Sequence, residues 1–287
     1  MIDEETWTME EVKAIDILYH LFTPEAVRKN YYEQPEFQRI FKWWKIDKKS
    51  YTPGQFVAMM DEAGVEKVFI PTDKMMGYRD QKPIWDVQIS EVMEVIEQYP
   101  DRFVGLVGIN PLTRMEGVRE LERAVKDHGF KGAYIHTYGY GIPLNHRLYY
   151  PFYAKAAELG VAVMMQVGHS AEHMPNEMGR PIYLDDVALD FPELVLVGAH
   201  TGWPWTEEMI ALAWKHENVY VGIDAHMPKY LDRSLVNFMN TRGKEKVLYG
   251  TNGLPWKETL GQLKEIVPKD EVRRLIIREN AVKAFKL

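Results

Sequence analysis

Nine histidines and no cysteine among 287 residues make imidazole the first side chain to examine for chemistry. Disulfides, thiolate metal sites and a cysteine nucleophile are excluded. The stretch Ala14-Ile15-Asp16-Ile17-Leu18-Tyr19-His20-Leu21 sets an aspartate and a histidine four residues apart in an apolar run. Strand side chains alternate, so Asp16, Leu18 and His20 are expected on one face and Ile15, Ile17 and Tyr19 on the other. Later apolar runs also end in polar residues: His136 and Tyr138, Gln166 and His169, His200, Asp224 and His226, then Asn252. Imidazole is the usual acid or base near neutral pH and the commonest metal ligand. A single such histidine reads as a hydrogen-bonded wall residue, whereas recurrence from run to run reads as a histidine-lined pocket. His128 and His216 instead end helical patterns, where imidazolium suits the helix dipole.

The runs that must position these residues are strand-like: 14–21, 65–72, 103–110, 130–138, 161–169, 194–200, 219–226 and 246–251. Between them lie stretches of 3.6-residue period at 52–63, 84–99, 115–128, 150–159, 184–190, 207–217, 231–240 and 255–267, and 270–285 reads as a C-terminal helix. Strand–helix alternation implies parallel pairing, and eight such units close most economically into a (β/α)8 TIM barrel with function at the C-terminal strand ends. The expectation is one such domain over 1–287. Gly64, Gly129 and Gly160 follow helical runs where a left-handed residue is needed. Thr52 and Thr206 are expected N-caps, the first with Gln55 in capping-box spacing.

Two insertions break the rhythm. Residues 22–51 carry Tyr31, Tyr32, Phe37, Phe41, Trp43 and Trp44 and read as a lid, a cover or a subunit contact. Residues 170–183 are polar and follow His169 directly. A formal net charge of −7 without a basic block argues against nucleic-acid or anionic-membrane partners. Met1–Glu11 is acidic and polar, the wrong order for a secretory signal, and no apolar run approaches the roughly 20 residues of a membrane helix. The expectation is a cytoplasmic protein, with the aromatic segments and Trp203-Pro204-Trp205 sealing a homodimer.

An ordered series of short motifs spans nearly the whole chain: Ile15-Asp16 with His20, Tyr99-Pro100-Asp101-Arg102-Phe103, Asn110-Pro111, Ala157-Glu158-Leu159-Gly160, Val167-Gly168-His169, Phe191-Pro192-Glu193-Leu194, His200-Thr201-Gly202, Gly250-Thr251-Asn252 and Asn280-Ala281. In these motifs the chain resembles the amidohydrolase-related family that includes aminocarboxymuconate semialdehyde decarboxylase and gamma-resorcylate decarboxylase. The resemblance implies one divalent metal at the barrel mouth, held by an Asp-x-His-x-His strand, a histidine ending strand five and an aspartate ending strand eight. A free histidine ending strand six would act as acid or base. His20 matches the second histidine of the first motif, His169 the strand-five ligand and His200 the acid/base residue. Leu18 and Asn252 stand where the other ligands belong. Leucine cannot ligate, and a carboxamide brings no charge to a divalent ion.

The expected function is therefore histidine acid/base chemistry on a small carboxylated aromatic or unsaturated molecule, most simply a decarboxylase-type lyase. His200, His169 and His20 are the candidate catalytic residues. Asn252, Tyr138, His136 and Asp224 are candidates for orienting substrate. A metal-free site is favoured over one rebuilt with zinc or manganese on His20, His169 and Asp16. Two other readings are a metal-dependent hydrolase and a retired barrel that only binds ligand. Arg79, Arg114 and Arg180 are candidate carboxylate clamps or surface residues, and Met75, Met76 and Met178 candidate pocket lining.

Overall fold

The computed structural model describes residues 12–287; the polar segment 1–11 falls outside the described residues. In chain order the strands are β1 (Ala14–Asp16), β2 (Val65–Pro71), β3 (Lys74–Met76), β4 (Pro83–Asp86), β5 (Phe103–Gly108), β6 (Gly132–Ile135), β7 (Ala162–Gln166), β8 (Leu196–Ala199), β9 (Val219–Gly222) and β10 (Val247–Leu248). All but β3 and β4 form one eight-stranded parallel sheet in the order β1-β2-β5-β6-β7-β8-β9-β10. Two backbone hydrogen bonds close it: Ile17 N–H donates to Tyr249 O at 3.2 Å and Asn252 N–H to Leu18 O at 2.9 Å. The eight expected strands are those of the barrel, each shorter than its apolar run because the ends peel off into loops at the mouth.

The helices are α1 (Pro24–Val27), α2 (Pro35–Trp44), α3 (Pro53–Ala63), α4 (Ile89–Ile96), α5 (Met115–His128), α6 (Tyr150–Leu159), α7 (Tyr183–Asp190), α8 (Thr206–Lys215), α9 (Arg233–Asn240), α10 (Trp256–Ile266), α11 (Asp270–Arg274) and α12 (Asn280–Phe285). Gly64, Gly129 and Gly160 take φ of 71°, 70° and 67° and end α3, α5 and α6. Thr52 and Gln55 form the expected capping box.

Three local expectations are corrected. Residues 83–86 are a strand, not the start of a helix, because pairing with β3 and the Trp85 Nε1–H bond to Asn30 O outweigh the local period; Gln88 and Glu91 then cap α4. Thr206 is the first residue of α8 rather than its cap, because Trp205 N–H bonds back to Gly202 O and sets the helix entry; its hydroxyl is buried without a partner. The C-terminal helix is interrupted by a π turn at Leu275–Glu279, where Ile276 O accepts Tyr249 N–H.

Two apolar layers follow from strand alternation. Ile15, Ile17, Leu18, Phe69, Leu106, Met164, Val197 and Leu248 fill the barrel interior, whose foot is plugged by Ala281, Ala284 and Phe285 of α12. Alternate strand residues such as Val68, Phe103, Val163 and Val221 pack against the helices. Over the mouth, Val27, Tyr31, Phe37 and Ile40 of the insertion join Met75 and Trp85 of the β3–β4 hairpin in a separate cluster. Phe37 stacks on Trp85 with centroids 4.8 Å apart. Residues 170–176 complete this cover, with Arg39 donating to Ala171 O and His173 N–H to Glu36. Trp43, Trp44 and Ile46 stay exposed on its outer edge.

Candidate active site

Every barrel strand ends at the mouth, so the chemistry is set by the residues just past each end. Past β8 comes His200, whose Nδ1 makes a short contact with a carboxylate oxygen of Asp224, from the end of β9. Asp224 is fully buried. Burial alone raises a carboxylate's pKa, but the His200 imidazole beside it and its hydrogen bonds outweigh that and hold Asp224 below its ordinary value. Nδ1 being committed to Asp224, Nε2 is the nitrogen left to exchange a proton. His226, two residues on, is held below the usual histidine pKa by burial and by His200.

The backbone here is strained. His200, Thr201, Ala225 and Asn252 have φ of 64°, 61°, 64° and 54°, a left-handed conformation that costs non-glycine residues free energy. Such outliers persist where the surrounding structure over-determines them, and these end three successive strands at one rim. The Asn252 Oδ1 is buried there without a hydrogen-bond partner.

A second imidazole–carboxylate pair faces the other half of the mouth. His20 Nδ1 lies 2.9 Å from Asp73 Oδ2, both nearly buried, with the His20 ring 4.7 Å from Trp85. Sequence reasoning missed Asp73, although a charged residue two positions past the apolar β2 was the available signal. A third imidazole, His136, has both ring nitrogens buried and unbonded, with Glu172 Oε2 at 3.9 Å. Burial opposes the ionised form of Glu172, but His136 and the Ser170 hydroxyl outweigh it and hold the carboxyl at about 2.

Other expected residues are placed elsewhere. Asp16 does not share the face of His20. The strand ends at Asp16, whose Oδ1 accepts Leu18 N–H at 3.1 Å; this turn slips the register, so Ile17 and Leu18 both enter the interior. Its carboxylate turns outward to Thr251 N–H at 2.9 Å, Thr251 Oγ1 at 2.5 Å and Trp256 Nε1 at 2.7 Å, and burial pushes its pKa up to about 6 against those bonds. Tyr138 spends its hydroxyl on Gly168 O at 3.1 Å, and Asp224 touches His200, so neither offers a free polar group to substrate.

His169 is exposed at the rim, against Asn176 and Trp203; among the described residues no hydrogen bond or ion pair joins it to His20 or His200. The reason is Gly168, whose φ of 91° and close approach to the Trp203 backbone turn the chain outward. The side chain that ends β7 inside the barrel is Gln166, bonded through Nε2 to the Tyr134 hydroxyl at 2.7 Å. Ala162, Met164 and Gln166 alternate inward, so period two alone could have found it. Arg180 is held by Glu208 at 2.7 Å, and Arg79 lines an outer cleft of about 680 Å³ beside the hairpin. His216, at the end of α8, pairs with Asp185 on the outer surface.

A sequence profile of the amidohydrolase family matches residues 15–287. The chain belongs to that family, and it is an enzyme of lyase or hydrolase type. Solved structures share its fold across almost its full length. An uncharacterized TIM-barrel protein from Bordetella bronchiseptica is 21% identical, with 96% of this chain and 98% of that one covered and a TM-score of 0.73. A 2,6-dihydroxybenzoate decarboxylase in complex with 2,6-dihydroxybenzoate is 14% identical over 96% and 99%, with a TM-score of 0.68. A dihydroxybenzoic acid decarboxylase from Polaromonas, with bound manganese and the inhibitor 2-nitroresorcinol, is 17% identical over 96% and 97%, also with a TM-score of 0.68.

The donor set here does not fit a family-type metal. Leu18 and Asn252 replace two ligands, Asp16 faces away with its oxygens occupied, and the inward residue of β7 is a glutamine bonded to a tyrosine. Among the described residues no three His, Asp or Glu side chains come together as a metal-holding group. No described helix is long and apolar enough to cross a membrane.

Proposed function

We propose that this enzyme is a decarboxylase-type lyase acting on a small aromatic or unsaturated carboxylic acid, with His200 as the proton donor and no catalytic metal. The observation that carries the reading is His200 backed by the buried Asp224 on a strained strand end. A buried carboxylate against Nδ1 fixes the ring's orientation and leaves Nε2 as the nitrogen that meets substrate.

The chemistry balances with one proton. Nε2–H protonates the substrate carbon that bears the carboxylate, the bond to the carboxylate carbon then breaks, its electron pair returns to the unsaturated system, and carbon dioxide leaves. Solvent returns the proton to His200. In this reading His20, held by Asp73, and His136 bond substrate oxygens, and the unpartnered Asn252 Oδ1 accepts a substrate hydroxyl. His169, exposed at the rim, is assigned no proton transfer.

Carbon dioxide release from 2,6-dihydroxybenzoate, 5-carboxyvanillate and related acids tests the reading. Turnover that survives chelation and is lost in His200→Ala is expected. Turnover that needs re-added zinc or manganese favours the metal-dependent hydrolase reading instead, and binding without turnover favours a retired barrel.

A further inference from the structure

Lys48, in the 22–51 insertion, brings its ammonium to the Tyr19 and Tyr31 rings and to Gly253 at the barrel mouth. After α2 the chain turns back through Lys45, at φ 53°, and Tyr51 N–H anchors the return on Phe22 O. The Lys48 carbonyl is held by the Tyr32 hydroxyl at 3.0 Å, which fixes the backbone from which the side chain departs. The ammonium then lies 4.9 Å from the Tyr31 ring centre and 5.4 Å from that of Tyr19, two aromatic faces that suit a cation.

Gly253 makes this approach feasible. A Cβ there would stand 3.3 Å from the Lys48 Nζ, and the φ of 93° already selects glycine. Nζ therefore sits between the ends of β1 and β10, beside Asn252. That is where Leu18 and Asn252 replace the ligands that the family resemblance assigns to a metal.

Among the described residues no carboxylate lies within ion-pair distance of Nζ; Asp73 is the nearest acid acting on it. Two polar atoms in the same neighbourhood, the Tyr31 hydroxyl and Asn252 Oδ1, are buried without partners. A half-buried ammonium without a counter-ion, caged by aromatic rings and flanked by unsatisfied polar groups, is poised for an anion from outside the chain.

We propose that Lys48 is the carboxylate anchor of this site, supplying from the insertion the positive charge that a divalent ion would supply in the family pattern. The inference rests on the carboxylate-substrate reading but not on the identity of the reaction. It makes the insertion a specificity element as well as a cover. Substrates must carry an anionic group that reaches the β1–β10 side of the mouth while the carbon to be protonated faces His200.

Calorimetric binding of 2,6-dihydroxybenzoate and of resorcinol, which lacks the carboxylate, tests this without needing turnover. Wild-type protein should prefer the acid, and Lys48→Met should lose about ten- to a hundredfold of that preference while Lys48→Arg keeps most of it. His200→Ala should lose turnover yet keep the preference, which separates this inference from the assignment of the proton donor. Wild type with no preference, or Lys48→Met with an undiminished one, overturns the proposal.

Should Lys48→Met fail to fold, the wild-type pH profile decides. Burial lowers the Lys48 pKa to about 8, so the preference should be full below pH 8 and fade as pH rises through it. The other titratable groups that face Nζ are Asp73 from the end of β2, Tyr19 from the end of β1 and Tyr31 from the insertion; both tyrosines are pushed above their ordinary values by burial. Burial thus moves both tyrosines further from pH 8, so neither gains charge there. A preference that holds flat to pH 10 overturns the proposal.

Discussion

At the foot of the barrel, Ile15, Phe69, Leu106 and Met164 close on Phe285 and Ala281 of α12, and the interior is apolar side chain against apolar side chain. At the mouth the barrel strands end in His20, His136, Gln166, His200 and Asn252. Four non-glycine residues there have left-handed φ, and several buried polar atoms lack partners. One end is packed as a core is packed; the other holds strained backbone and unsatisfied polarity that the core must offset. Stability and chemistry are thus separated along the strand axis, as expected where catalytic groups occupy the C-terminal loops.

That separation can be broken or sharpened by experiment. The largest effect on turnover is expected from His200→Ala, which should cut it by about 10²–10⁴ per folded molecule. A variant with wild-type turnover removes His200 from the mechanism. Phe285→Ala should do the reverse, costing about 3–5 kcal/mol of stability by opening a cavity against Phe69, with turnover per folded molecule unchanged. Loss of turnover in a still-folded Phe285→Ala protein would show that the two ends are coupled.

A smaller effect separates the two halves of the mouth. Asp73→Asn leaves His20 a hydrogen-bond partner but removes its charge, and turnover should fall about tenfold, less than for Asp224→Asn, because only Asp224 backs the proton donor. Equal losses would make His20 an equal partner in proton transfer. Smallest of all, Ala225→Gly relieves a φ of 64° and should raise stability by about 1 kcal/mol, read from the denaturation midpoint. A destabilised Ala225→Gly protein would mean that the left-handed conformation carries no cost there.

Strand alternation was legible where a strand persisted, and it failed where one ended. Ala162, Met164 and Gln166 obey it to the last residue, so the glutamine was available as the inward group of β7. Asp16 and His20 do not, because an aspartate that captures Leu18 N–H ends the strand between them. The 83–86 hairpin was hidden for a related reason, its helical period being local and its pairing with β3 not. Lys48, Asp73 and Glu172 come from loops, whose direction no periodicity encodes.

By itself the sequence determined the barrel: eight apolar runs, the glycines that end three helices, and the order of short motifs that places the chain in its family. Those features are local or repeat at fixed spacing, so one dimension carries them. Which polar groups meet was decided only in three dimensions. A turn sent Asp16 out, Gly168 carried His169 to the rim, and the insertion folded back far enough to bring the Lys48 ammonium to the mouth. Electrostatics acts through space over a few ångströms, and residues 48, 73 and 253 become neighbours only once the barrel has closed.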